Sequence, residues 1–162
     1  CKAQCPVAKG LVDDNGNINK KIKDSTDLSL GPNDSEVVRR YVVDELSPCL
    51  KSYIKKYKWS DKGHSNWNIC ENINIQHYKP GGGYYEWHSE RQRPNARHLV
   101  FMTYLNDVMD AGGTEFYYYD IIGKPIKGST LIWPAFWPHT HRGIQSKTEE
   151  KYIITGWYSY LE

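Results

Sequence analysis

The chain has 162 residues, 21 of them basic and 19 acidic, for a net charge of +2. That length suits one domain with a core of its own and no need of disulfide staples. The near balance of charge leaves no basic stripe for nucleic acid or a membrane surface, and no apolar run approaches the roughly 20 residues that span a bilayer.

In chain order, residues 1–33 mix Lys, Asp, Asn and Gly with little periodicity, and an irregular N-terminal arm is expected there. Within it, Leu11-Val12 and Ile18 to Ile22 would pair as a short hairpin around Asn15-Gly16. Helices are expected over residues 34–58. Asp34 or Ser35 caps the first, with Val37, Val38, Tyr41, Val42 and Leu46 on one face. Ser47-Pro48 opens a second, carrying Leu50, Tyr53, Ile54 and Tyr57. These stripes are packing faces.

From residue 66 the texture changes to short strands between Gly, Pro and Asn turns. Asn68 to Tyr78 alternates: Ile69, Glu71, Ile73 and Ile75 take one parity, and Asn68, Asn72, Asn74 and Gln76 the other. Further strands are expected at Tyr84 to His88, His98 to Leu105, Thr114 to Tyr119, Thr130 to Trp133, His141 to Gln145 and Lys151 to Tyr158. Strands at this pitch give a sandwich or jelly roll. The 13 Tyr and 6 Trp fall mostly in this half and favour an aromatic-lined cleft.

The four cysteines, Cys1, Cys5, Cys49 and Cys70, include no Cys-x-x-Cys pair. They are expected to be free thiols in a reducing, cytoplasmic compartment, with a Cys1–Cys5 bridge or a terminal metal clip as the alternatives. The numbering begins at Cys rather than Met, which fits a trimmed product, a segment of a longer protein or a removed signal peptide.

The chemistry gathers around His88-Ser89-Glu90. On extended chain, residues i and i+2 point to one side, so His88 and Glu90 can face one ion while Ser89 points away. A third ligand must come from a distant strand, and His139 and His141 in Trp-Pro-His-Thr-His-Arg-Gly share a parity. Two imidazoles and a carboxylate on one face of an ion, with the opposite positions open, suit oxygen-activating Fe(II). His64, His77 and His98 are read as ordinary structural histidines.

Several segments in order resemble the Fe(II)/2-oxoglutarate-dependent dioxygenases, and among them the prolyl 4-hydroxylase-like branch. They are Gln76-His77-Tyr78 through Tyr84-Tyr85-Glu86-Trp87-His88-Ser89-Glu90, Tyr104-Leu105-Asn106, Gly112-Gly113-Thr114-Glu115-Phe116, and Lys127-Gly128-Ser129-Thr130-Leu131-Ile132-Trp133-Pro134 through His141 to Lys151 and Trp157. The resemblance covers roughly residues 67–160. It implies a mainly β double-stranded β-helix, or jelly roll, over 66–160, with the N-terminal helices packed outside the sheet and residues 1–162 forming a single domain.

In that family the distal His lies about ten residues before a basic residue that pairs with the far carboxylate of 2-oxoglutarate. The interval from His141 to Lys151 matches and that from His139 does not, so the resemblance gives His88, Glu90 and His141 as metal ligands and Lys151 as the co-substrate cation. Tyr78 and Tyr104 match positions whose phenols line the co-substrate pocket. One departure stands out: the family usually carries Asp two residues after the first His, and this chain carries Glu90.

The implied reaction is oxidative decarboxylation of 2-oxoglutarate to succinate and CO2 coupled to hydroxylation of a substrate. Fe(II), 2-oxoglutarate and O2 are required, and ascorbate is a further reductant that the resemblance admits. Prolyl residues in a peptide or protein are the expected target, without nucleic-acid or membrane partners. Arg91, Arg93, Trp137 and His139 are candidates for the substrate side. Trp87, Trp133, Phe136 and Trp137 are read as an aromatic platform. Arg97, His98, Met102 and Thr155 lie on neighbouring strands and are further candidates to face the pocket. The rival readings are a dioxygenase acting on a free amino acid or small metabolite, and a metal-binding jelly roll without catalysis.

Overall fold

A computed structural model describes residues 7–11, 18–63, 65–90 and 96–161. In chain order it contains β1 (Ala8–Lys9), β2 (Lys23–Asp24), β3 (Thr26–Leu30), α1 (Glu36–Arg40), a π-helical segment (Tyr41–Leu46), α2 (Ser47–Lys56), a 3-10 turn (Lys58–Asp61) and then β4 (Trp67–Asn68), β5 (Ile73–Tyr78), β6 (Gly83–Tyr84), β7 (Arg97–Tyr104), β8 (Thr114–Phe116), β9 (Ile121–Gly123), β10 (Thr130–Pro134), β11 (His141–Gly143) and β12 (Lys151–Tyr160).

The strands form a jelly roll. The major sheet runs β1-β3-β5-β12-β7-β10, with β4 also on β12; β11-β8-β9 and β2-β6 are smaller sheets. Every pairing is antiparallel.

The expected helices are one continuous rod rather than two. Ser35 caps it by accepting from the Val38 amide at 3.1 Å, and the π-helical segment widens the ladder just before Pro48, which has no N–H to contribute. Val38 and Leu46 are buried and Tyr41 and Val42 pack beside them, but Val37 turns out to solvent at 76% exposure. It stands about 100° around the rod from Val38, beyond the edge of the apolar stripe.

Alternation in the sheet divides two cores. Ile73, Leu99, Phe101, Ile154 and Tyr158 face the helical rod with Leu30, Val38 and Leu46. Tyr78, Val100, Met102, Tyr104, Trp133, Ala135 and Ile153 face the inside of the roll. At ~1.5–3 kcal/mol for each fully buried large apolar side chain, the first core fastens the rod to the sheet. The second forms the floor of the cavity.

The arm departs from its expected form. Residues 18–22 run through coil and turn, and β1 pairs instead with β3, Ala8 opposite Asp27. β3 continues the major sheet on β5, from Thr26↔His77 to Leu30↔Ile73. Thr26 to Leu30 escaped the sequence reading because its alternation is only five residues long and sits in a polar context. The Asn15-Gly16 turn lies outside the described residues, as do Cys1 and Cys5; Cys49 and Cys70 are free thiols.

Candidate active site

His88 sits where the chain leaves β6, tied to β11 by reciprocal backbone hydrogen bonds: the His88 amide donates to the His141 carbonyl at 3.0 Å and the His141 amide to that of His88 at 2.9 Å. Two residues on, the Glu90 amide donates to Ala135 at 3.0 Å. These bonds bring together side chains 53 positions apart. Glu90 Oε1 lies 3.3 Å from His88 Nε2 and 3.5 Å from His141 Nε2, and one ligand atom from each residue falls within 4.8 Å of the others.

Both imidazoles are aimed from behind. Nδ1 of His88 is 2.9 Å from the Glu86 carbonyl, and Nδ1 of His141 is 3.0 Å from that of His139. A carbonyl only accepts, so each Nδ1 carries the proton and each Nε2 lone pair points inward, the state a metal requires. Tyr84 stacks on the His88 ring at 3.8 Å, and Trp133 meets the His141 ring edge-on at 4.9 Å. Two neutral nitrogens and one carboxylate oxygen on one face fit Fe(II), with the remaining positions open toward the cavity. Glu90 meets this geometry despite its extra methylene.

The cavity holds about 430 Å³ between the sheets and is lined by His88, Glu90, His141, Tyr78, Tyr84, Met102, Thr114, Trp133, Lys151, Ile153, Thr155 and Trp157, among others. The polar parity of β5, Asn74, Gln76 and Tyr78, faces this space, while Ile73 and Ile75 face the rod.

Lys151 is buried at 5% exposure. Its Nζ donates to the Gly112 carbonyl at 3.2 Å and the Ile144 carbonyl at 3.5 Å and lies 4.8 Å from the centre of the Tyr78 ring. Burial drives its pKa down to about 8. Among the described residues no carboxylate pairs with it, so the pocket offers one uncompensated cation suited to an anionic ligand arm.

Tyr78 lines the cavity, and its hydroxyl donates to Gln76 Oε1 at 2.7 Å. Burial first, then the charge of Asp27, raises its phenol well above the ordinary range. Tyr104, expected beside it, is set back behind the wall. Its hydroxyl shares a hydrogen bond with Thr114 Oγ1 at 2.8 Å and donates to the Gly123 carbonyl at 3.1 Å, and Thr114 is the side chain that reaches the cavity.

Of the further strand candidates, Arg97, Met102 and Thr155 line the cavity. His98 does not; its ring bonds to the Ser60 carbonyl and the Tyr160 hydroxyl on the other side of the sheet. Trp137 and His139 stand on the outer rim. Trp137 is 60% exposed and meets Tyr118 edge-on at 6.1 Å, while His139 stacks on Tyr119 at 5.3 Å. The aromatic platform is therefore split: Trp133 is interior, whereas Trp87, under the Arg142 guanidinium at 4.3 Å and edge-on to Tyr117, is on the surface side. Arg91 and Arg93 lie outside the described residues.

Glu71, Gln76 and Thr114 were missed as site residues. Gln76 was findable, since its i+2 relation to Tyr78 puts both on one side of the strand. Glu71 was not, because the chain breaks from strand geometry between β4 and β5 and its parity misleads.

The 2OG-Fe(II) oxygenase superfamily model matches residues 73–159. Among solved structures, a viral collagen prolyl hydroxylase from Paramecium Bursaria Chlorella virus-1, in complex with 2OG, superposes with a TM-score of 0.68 at 21% identity, over 86% of this chain and 80% of that one. A Pseudomonas putida prolyl-4-hydroxylase gives 0.71 at 18% over 94% and 77%. A Trichoplax adhaerens prolyl hydroxylase, in complex with a hypoxia inducible factor oxygen degradation domain peptide fragment, gives 0.73 at 18% over 94% and 70%. At these identities the likeness establishes the jelly-roll fold. No curated protein sequence matches the chain. With more than half its length matched by the family model, the chain belongs to the 2OG-Fe(II) oxygenase superfamily and is a dioxygenase that uses Fe(II), 2-oxoglutarate and O2.

Proposed function

We propose that the protein is a hydroxylase of prolyl residues in a peptide or protein, with Fe(II) held by His88, Glu90 and His141 and 2-oxoglutarate by Lys151 and Tyr78. The observation that carries the site assignment is the pairing, in one cavity, of an inward-facing His-Glu-His set with a buried lysine that has no counter-charge among the described residues. Iron and 2-oxoglutarate, when bound, supply the oxidising chemistry that hydroxylates the substrate as succinate and CO2 are released.

The protein's own part is placement and exclusion. The Glu86 and His139 carbonyls orient the imidazoles, Lys151 supplies the charge that meets a carboxylate, and Met102, Ile153 and Trp133 give the cavity its apolar wall. A prolyl target is supported by the three prolyl hydroxylases that share the fold, one of them bound to a peptide. It is supported too by the exposed rings of Tyr117, Tyr118 and Trp137 beside the site, which suit extended, proline-rich chain.

The test is substrate-stimulated succinate formation with proline-containing peptides against free amino acids. Peptide-dependent turnover that His88→Ala abolishes is expected. Stimulation by free amino acids alone would replace the peptide reading, and metal binding without 2-oxoglutarate turnover would leave a non-catalytic module.

A further inference from the structure

A carboxylate ligand has two oxygens, and the use of the second decides how many positions the metal keeps. At Glu90 the two are separated in role. Oε1 lies between the imidazoles of His88 and His141. Oε2 accepts the Trp157 indole N–H at 3.0 Å and lies 3.4 Å from Arg97 Nη1.

Arg97 is itself held from behind. Its Nε donates to both Glu71 oxygens at 3.0 Å and its Nη2 to Glu71 Oε2 at 2.5 Å, and its guanidinium lies 3.6 Å from the centre of the Trp157 ring. Glu71 also accepts from Ser159 Oγ at 2.9 Å, next to the irregularity at Tyr158/Ser159 where β12 shifts register against β7. The group that grips Glu90 is therefore locked by a carboxylate outside the ligand set, on a segment distant in sequence.

Resting on the reading of His88, Glu90 and His141 as the ligands, we propose that Glu71, acting through Arg97 and Trp157, is a positioning residue that restricts Glu90 to one coordinating oxygen. A glutamate has one more rotatable bond than aspartate and could swing both oxygens onto an ion. Chelation by both would consume a position that the co-substrate or oxygen needs. With Oε2 committed to Trp157 and Arg97, only Oε1 is free to coordinate. The same frame sets the length required at residue 90: aspartate would withdraw the carboxylate by about one C–C bond, roughly 1.5 Å, and could not reach the indole N–H and the metal position together. Glu90 is matched to Glu71, Arg97 and Trp157 as a unit.

The test replaces iron with Co(II), whose visible bands report coordination number. Wild-type protein should bind one Co(II) with bands that His88→Ala removes; absence of binding overturns the ligand set and this inference with it. Trp157→Phe keeps a ring under Arg97 but removes the N–H, and Glu71→Gln keeps shape but removes the charge. Both should weaken Co(II) about 10-fold, in the range of lost support to a metal ligand, and reduce band intensity as the second oxygen joins the metal. Glu90→Asp should weaken binding as much. Wild-type affinity and bands in a folded Trp157→Phe protein overturn the proposal while leaving the ligand set intact. That variant decides alone if Glu71→Gln fails to fold.

Discussion

In the proposed site Lys151 is the residue at which function and stability pull hardest against each other, and Lys151→Met separates them. The unfolded ammonium titrates near 10.5 and the folded one at about 8, because burial penalises the charge. At about 1.4 kcal/mol per pH unit, holding it charged at pH 7 costs the fold about 3 kcal/mol. Met removes that cost but leaves the Gly112 and Ile144 carbonyls without their donor, returning ~1–2 kcal/mol of it. A net gain of about 1–2 kcal/mol should raise the Tm of the metal-free protein by ~3–6 °C. The sign of the pH dependence follows. Between 8 and 10.5 the unfolded chain binds the extra proton, so wild-type stability rises with pH through that window, and the advantage of Met should be full below pH 8 and fade towards pH 10.5. The same variant should weaken 2-oxoglutarate at least 30-fold, as expected for truncating one partner of a buried charge pair. Thermal melts of both proteins at pH 7 and 10, with 2-oxoglutarate titrations, check this. A lower Tm for Lys151→Met at pH 7, or an unchanged affinity, refutes the argument.

Three further outcomes are expected. The KM for 2-oxoglutarate should be flat below pH 8 and climb about tenfold per pH unit above it as Lys151 loses its proton; Lys151→Arg, which stays protonated, should flatten that rise in steady-state assays. A Cβ at Gly156 would meet Phe101 Cζ at 2.5 Å inside the outer core, so Gly156→Ala should cost ~1–3 kcal/mol by overpacking, and Phe101→Leu in the same molecule should recover part of the lost Tm. Tyr104→Phe should lower stability by about 1 kcal/mol, having removed the hydroxyl bonded to Thr114 and Gly123, while the KM for 2-oxoglutarate stays within about twofold. A tenfold rise would instead make Tyr104 a direct co-substrate contact.

The β half was legible because its alternation is long and its turns are marked by Gly, Pro and Asn; β7, β10 and β12 fall within two residues of their expected ends. His88 and Glu90 were legible for the same reason, since an i, i+2 pair on extended chain can face only one way. What the sequence hid depends on partners far along the chain. β3 owes its existence to pairing with β5 and β1. Tyr104 was placed by position in a motif, whereas its hydroxyl goes where Thr114 and Gly123 happen to offer partners. The task of Glu71 is set by Arg97 and Ser159, neither of which any local pattern connects to it.

β12 is the longest described strand, and it meets β4, β5 and β7. A slip of one residue along those neighbours would exchange its two faces, turning Lys151, Ile153, Thr155 and Trp157 toward the helical rod and Ile154 and Tyr158 toward the cavity. Such a molecule would keep much of its secondary structure and yet have neither the Lys151 ammonium in the cavity nor the Trp157 indole beside Glu90. On the proposed site, metal uptake together with 2-oxoglutarate binding is thus a readout of the β12 register: it requires Lys151 and Trp157 on the cavity face, which the one-residue slip would remove.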